Sequence, residues 1–284
     1  MFAFVKKLFR PRAASGVFVG RRRTRDISFL AQSPSGFIGR VTRSVPAPKI
    51  LPAMNDVTNP VPYFGLALMR TASNTVRSVL ASDAGASGIG GLGVAPYPFQ
   101  SNSGANSGAM PFAALTAVPP GVIDVNFSGP EMVYCNSAQA PTVTMADKVY
   151  AWCAASASTH VQGGFENAAA ATVASVAGTN TGTGTMGTLS VAAAAAQNGA
   201  YTVKFTAATV FSVFDPNGRE LLGGVTGAAY TDAGVTFTIT ASGTAFVAGD
   251  SFTVTVTQQT IPVPNAYFNG PGDSTGAIEL LYSL

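Results

Sequence analysis

Charge is the scarcest feature of this chain. Of its 284 residues only 10% are charged, against about 25% in an ordinary soluble domain. Most of its surface must therefore be Ser, Thr, Asn, Gly and small apolar groups, a composition suited to burial against neighbours. Cysteine is nearly absent. Cys135 and Cys153 are too few for a disulfide framework, and with His160 as the single histidine they match no zinc spacing, so two buried free thiols are expected. Long apolar runs are also missing. Although 47% of residues are hydrophobic, stretches such as Val191 to Ala196 are far too short to span a bilayer. The opening Met1-Phe2-Ala3-Phe4-Val5-Lys6-Lys7 lacks the order and length of a secretory signal.

The net charge of +3 hides an asymmetry. Residues 1–53 carry Lys6, Lys7, Arg10, Arg12, Arg21, Arg22, Arg23, Arg25, Arg40, Arg43 and Lys49 against one acid, Asp26, whereas the rest of the chain is net acidic. This basic stretch is broken by Pro11, Pro34, Pro46, Pro48 and Pro52 and has no periodic apolar face. It is expected to be a poorly ordered arm contributing little to the fold, or sequence upstream of a start at Met54.

Beyond Met54, short apolar stretches alternate with turn residues: Tyr63 to Met69, Thr75 to Leu80, Gly93 to Pro96, Gly121 to Phe127 and Lys148 to Cys153. These lengths predict strands. In the last of them Val149, Ala151 and Cys153 share one face and Tyr150 and Trp152 the other, which predicts a central strand packed on both sides. Between Ala169 and Gln258 the alternation becomes regular. Tyr201/Val203/Phe205, Val235/Phe237/Ile239 and Phe252/Val254/Val256 interleave with Thr or Lys, which predicts antiparallel sheets with one wet face, packed as a sandwich. Asp215-Pro216-Asn217-Gly218 should turn a hairpin joining Val210–Phe214 to Glu220–Gly223, and the Ala192–Ala196 run is read as loop.

No catalytic, cofactor-binding or metal-ligating residue is assigned. Gly88-Ile89-Gly90-Gly91-Leu92-Gly93 matches a dinucleotide-binding pattern, but Pro96 and Pro98 forbid the helix that the pattern needs, leaving a flexible glycine-rich loop. His160, whose nearest carboxylate in sequence is Glu166, is read as a surface histidine, and Asp215, Asp250 and Asp273 as turn residues.

Three stretches resemble the structural cement, or capsid decoration, proteins of tailed bacteriophages. They are Gly93-Val94-Ala95-Pro96-Tyr97-Pro98-Phe99-Gln100; Asp147-Lys148-Val149-Tyr150 followed by Gly163-Gly164-Phe165-Glu166; and the ending from Ile261 through Pro271-Gly272-Asp273 to Leu280. Ala95, where the family pattern has an Arg, departs from it. Residues 169–258 look like a module recurring in phage virion proteins, marked by Gly199-Ala200-Tyr201, Asp215-Pro216-Asn217-Gly218 and Ala248-Gly249-Asp250.

The resemblance implies an all-β protein in which residues 54–168 plus 259–284 form a compact barrel- or sandwich-type cement domain and residues 169–258 an inserted antiparallel β-sandwich-like domain. It implies a non-enzymatic virion protein without cofactor, made in the host cytoplasm. Such a protein binds the major capsid protein on the outer surface of the head at coat-subunit junctions, as a dimer or trimer on symmetry axes, and stabilises the head against internal DNA pressure. No membrane contact is expected, and nucleic acid only through the basic arm. The alternative is a tail-associated or adhesin-like β-sandwich protein.

Overall fold

The computed structural model describes residues 49–71, 74–94 and 120–283. Their regular secondary structure is almost entirely strand, with short 3-10 turns at Ala81–Asp83 and Ala140–Thr142, so the expected all-β class is what the chain adopts.

The first five strands, β1 (Lys49–Asn55), β2 (Ala67–Arg70), β3 (Thr75–Ser78), β4 (Gly91–Val94) and β5 (Val122–Tyr134), lie in the order β1-β3-β2-β4-β5. Pairing of β1 with β5 then closes them into a five-stranded barrel. Closure leaves these strands no free edge within the ring. Ala53, Val61, Leu68, Val76, Ile123, Val125 and Phe127 fill the interior.

Two expectations are corrected here. The basic arm does not end at residue 53 as a segment outside the fold, because Lys49 to Ala53 belong to β1 and pair with Ser128 to Ile123. Ala53 is 3% exposed inside the barrel. Pro52 is no breaker, because an extended backbone suits its fixed φ and its carbonyl accepts Asn74 Nδ2 at 3.2 Å. Residues 1–48 lie outside the described residues.

The glycine-rich stretch is likewise not a flexible loop. Leu92 is fully buried, and β4 passes so close to its neighbours that a Cβ on Gly91 would sit 2.6 Å from Val125 Cγ1, and one on Gly90 2.4 Å from the Arg70 amide nitrogen. These glycines permit close strand contact. Ala95 to Gln100, the rest of the first family-like stretch, lie outside the described residues.

Strand β5 also runs past its expected end at Phe127. Ser128-Gly129-Pro130 reads as a turn, yet it stays extended, with Gly129 opposite Tyr282 and Pro130 opposite Leu281. The second half of β5 pairs with β18 (Ala277–Ser283), which pairs with β17 (Ala266–Phe268). A smaller sheet places β6 (Tyr150–Trp152) between β16 (Thr260–Pro262) and β7 (Phe165–Glu166), as the two apolar faces of this stretch predict. Val133, Val149, Ala151, Phe165, Ile261, Phe268 and Leu280 form the common core, with Cys135 and Cys153 buried and free within it.

Residues 171–258 form two further antiparallel sheets. One holds β12 (Gly224–Val225), β11 (Val210–Phe214), β10 (Gly199–Phe205), β15 (Ser251–Gln258) and β8 (Ala171–Ala177) in that order, and the other β13 (Ala229–Asp232), β14 (Val235–Thr240) and β9 (Thr185–Val191). The three alternating stretches are buried on their large apolar side as expected, and they share one core with Phe211, Val213, Tyr230 and Phe246. Phe246 stacks on Phe205 at 4.0 Å and Tyr230 on Phe237 at 4.7 Å.

The hairpin at Asp215 forms, with the Asp215 side chain accepting the amides of Asn217 and Arg219. Its return strand starts later than expected. Between the Phe214–Glu220 bridge and the Phe211–Gly224 pair one side has one residue more than the other, a bulge that displaces the pairing to β12. Asp250 and Asp273 also hold turns. Asp250 accepts the amides of Thr181, Gly182 and Val247, and Asp273 those of Thr275 and Ala277. The alanine run closes a single turn, the Ala196 amide donating to the Ala192 carbonyl at 3.0 Å.

The chain leaves for these sheets and comes back at one place. Gln258 pairs with Ala171, the Gln259 amide donates to the Ala170 carbonyl at 2.8 Å, and the Ala170 amide donates to Thr260 Oγ1 at 3.0 Å.

Candidate functional site

The densest polar cluster among the described residues is assembled by β6 and β7. Tyr150 pairs with Glu166 and Ala151 with Phe165, which brings Trp152 and Glu166 to neighbouring strands, and the loop between the strands folds back through an Ala157–His160 bridge. His160 then stacks on Trp152 with ring centroids 4.1 Å apart and planes 19° from parallel. Its Nδ1 lies 2.8 Å from Glu166 Oε1, a spacing that places a proton between them. Asn136 Nδ2 donates to Glu166 Oε2 at 3.2 Å.

His160 is therefore not the lone surface histidine that the sequence suggests. Its side chain is 31% exposed, whereas Glu166 is 3% exposed. Burial, the largest influence, raises the Glu166 carboxyl above the usual range despite the opposing bond and charge of His160. The local signal is the Gly163-Gly164 turn just before Phe165-Glu166, which returns the chain to the Trp152 strand.

A histidine oriented by a glutamate can serve as a base when a nucleophile stands beside it. The neighbouring thiol does not serve. Burial, and secondarily the charge of Glu166, push Cys135 up to about 12, which leaves the sulfur protonated and inert. Among the described residues no three His, Cys, Asp or Glu side chains are grouped to hold a metal ion. The cluster acts as a clasp, together with Gln162 Nε2 donating to the Cys153 carbonyl at 3.0 Å and Tyr134 Oη donating to the Thr159 carbonyl at 3.2 Å. Because Trp152 is the single tryptophan, the clasp has its own reporter. His160→Ala should expose the indole, shift its emission to the red and cost about 1 kcal/mol of stability; an unshifted spectrum would contradict the stack.

Exposed apolar surface and open cavities lie elsewhere. On the barrel Ile50, Leu51, Met54 and Val122 are 37%, 46%, 49% and 62% exposed, and Met54 and Val122 face one another in register. By strand alternation Ile50, Met54 and Val122 share one face and Leu51 lies on the other, and exposed apolar side chains grouped on a face are a candidate contact surface. At one end of the sandwich, β12 and β13 flank an open cavity of about 410 Å³ lined by Val210, Leu222, Val225 and Tyr230. A cleft of about 580 Å³ runs between Ala84–Ser87 and Ala193–Asn198, crossed by a hydrogen bond from Asn198 Nδ2 to the Ala84 carbonyl at 3.2 Å.

By fold this is an all-β protein built from a closed barrel and an antiparallel sandwich. No protein-family model matches the chain, and no curated protein is similar to it. Among solved structures, FlgL of Xanthomonas campestris, in two crystal forms, is 33% identical over 32% of this chain, with a TM-score of 0.26. The match spans less than a third of FlgL, 30% of it in one form and 29% in the other, and so low a score defines no shared fold.

Proposed function

We propose that this is a structural virion protein, a decoration subunit that binds the outer surface of a tailed-phage head at coat-subunit junctions and braces the shell against the pressure of packaged DNA. The observation that carries the reading is the convergence of the family-like stretches. Gly93 and Val94 lie in β4, Val149 to Trp152 and Phe165-Glu166 pair as β6 and β7, and the ending supplies β16, β17 and β18. Segments far apart in sequence thus meet around one barrel and its adjoining core.

Residues 169–258 are, in this reading, a domain inserted between two of those segments. Their core shares no residue with the others, and the chain departs and returns at adjacent residues, as an insertion that spares its host requires. The exposed apolar strip on β1 and β5 supplies contact area towards the major capsid protein. Binding in the micromolar range, worth about 8 kcal/mol per subunit, becomes strong bracing when repeated over a symmetric lattice. Particles made without the gene should assemble but lose their DNA at lower temperature or under milder osmotic shock than the parent. Mutant heads as robust as the parent would overturn the reading.

A further inference from the structure

Glu131 is the most unusual side chain in the host core. It lies on the face of β5 that also carries Val133, opposite Leu280 of β18 in register, and it is 0% exposed. Asn126 Nδ2 donates to Oε2 at 3.0 Å, whereas Oε1 has no protein partner. Tyr282, diagonal to it on the same face of the β5–β18 pair because its own partner is Gly129, also has a buried hydroxyl without a protein partner.

Among the described residues the surrounding elements bring no counter-charge. β18 offers Tyr282 on this face and turns Glu279, which pairs with Met132, to the other. β4 sets Leu92 opposite Asn126, β17 contributes the buried Phe268, and Cys135, just past the end of β5, is a neutral thiol. Lys49 of β1 and Arg70 of β2 are exposed, Arg70 lying over the Phe127 ring at 5.2 Å. A carboxylate buried without a cation is far costlier than a carboxylic acid.

We infer that Glu131 is a proton-held lock on the seam between β5 and β18, closed while its carboxyl is neutral and loosened when that carboxyl ionises. The seam is a consequential place for a lock, because β5 belongs both to the closed barrel and to the sheet that holds the C-terminal hairpin. Burial is the leading cause that raises the Glu131 carboxyl to about 8, with the Asn126 bond opposing it. The folded state therefore keeps a proton that the unfolded chain loses at the ordinary carboxyl range. The stabilisation is full below that range, declines as pH rises, and is gone above about 8. Glu166, raised in the same direction, adds a parallel slope, so the informative quantity is the difference between variants.

The test compares the full chain with Glu131→Gln, which keeps the shape and the Asn126 contact but cannot ionise. In the parent, the melting temperature and the hydrogen-exchange protection factors of the β18 amides should fall between about pH 5 and about pH 9. In Glu131→Gln the β18 protection should stay flat and the fall in melting temperature should shrink to the part due to Glu166. Difference infrared spectra at neutral pH should show a protonated-carboxyl band in the parent that the variant lacks, a reading available even if the variant folds poorly. Absence of that band, or identical pH profiles in the two proteins, would overturn the inference. None of these readouts involves the phage particle, so the lock and the decoration reading can fail separately.

Discussion

Cutting out residues 171–258 and joining Ala170 to Gln259 through a short Gly-Ser linker should yield a soluble protein that unfolds cooperatively and still binds heads. The two ends are already hydrogen-bonded at 2.8 Å, so the linker spans almost no distance. No strand of the sandwich pairs with a strand of the barrel or of the β6 sheet. What the host loses in side-chain bonding is the contact from Asn198 to the Ala84 carbonyl and the weak bond from Cys153 Sγ to the Gln258 carbonyl, each worth no more than about 0.5–1.5 kcal/mol. The excised piece carries its own aromatic core and should fold alone, and there Phe237→Ala should cost about 3–5 kcal/mol. An insoluble remainder that no longer binds heads would refute the insertion.

Placing charge on the barrel strip should have the opposite profile, with the fold kept and the binding lost. Ile50 and Met54 are 37% and 49% exposed, so Ile50→Asp with Met54→Asp leaves both carboxylates in water in the free protein. On a coat surface the same groups would be desolvated without partners, at about 3 kcal/mol, on the order of a hundredfold in affinity. Val176→Asp, at a side chain 69% exposed on the sandwich edge strand β8, is the control and should bind normally. If the strip makes the contact, an apolar short-range interface, binding should depend only weakly on salt above physiological ionic strength. Unchanged affinity of the double variant for undecorated heads would remove the strip from the interface.

The sandwich was legible in the sequence because burial there follows the pleat. Tyr201, Val203 and Phe205 face the core while Thr202 and Lys204 face water, and period two is what sequence displays best. A barrel-type domain was expected from the family resemblance alone, because its closure joins Ala53 to Ile123, a pairing with no local trace. Glycine and proline misled for a related reason. At Gly90-Gly91 the glycines serve close strand packing and Pro52 sits within the extended β1, whereas isolated from their partners they look like loop and breaker. Glu131 left no local signal, since its burial comes from the pairing of β5 with β18. The His160–Glu166 pair was hidden by hairpin register, which brings residues six apart into contact.

The most direct measurement is cryo-electron microscopy of purified phage particles with and without the gene. The decoration reading predicts density for a small barrel bearing a protruding sandwich, repeated on the outer face of the head where coat subunits meet and absent from the mutant. Identical heads in the two preparations, or the matching density on the tail, would contradict it and favour a tail-associated or adhesin-like role.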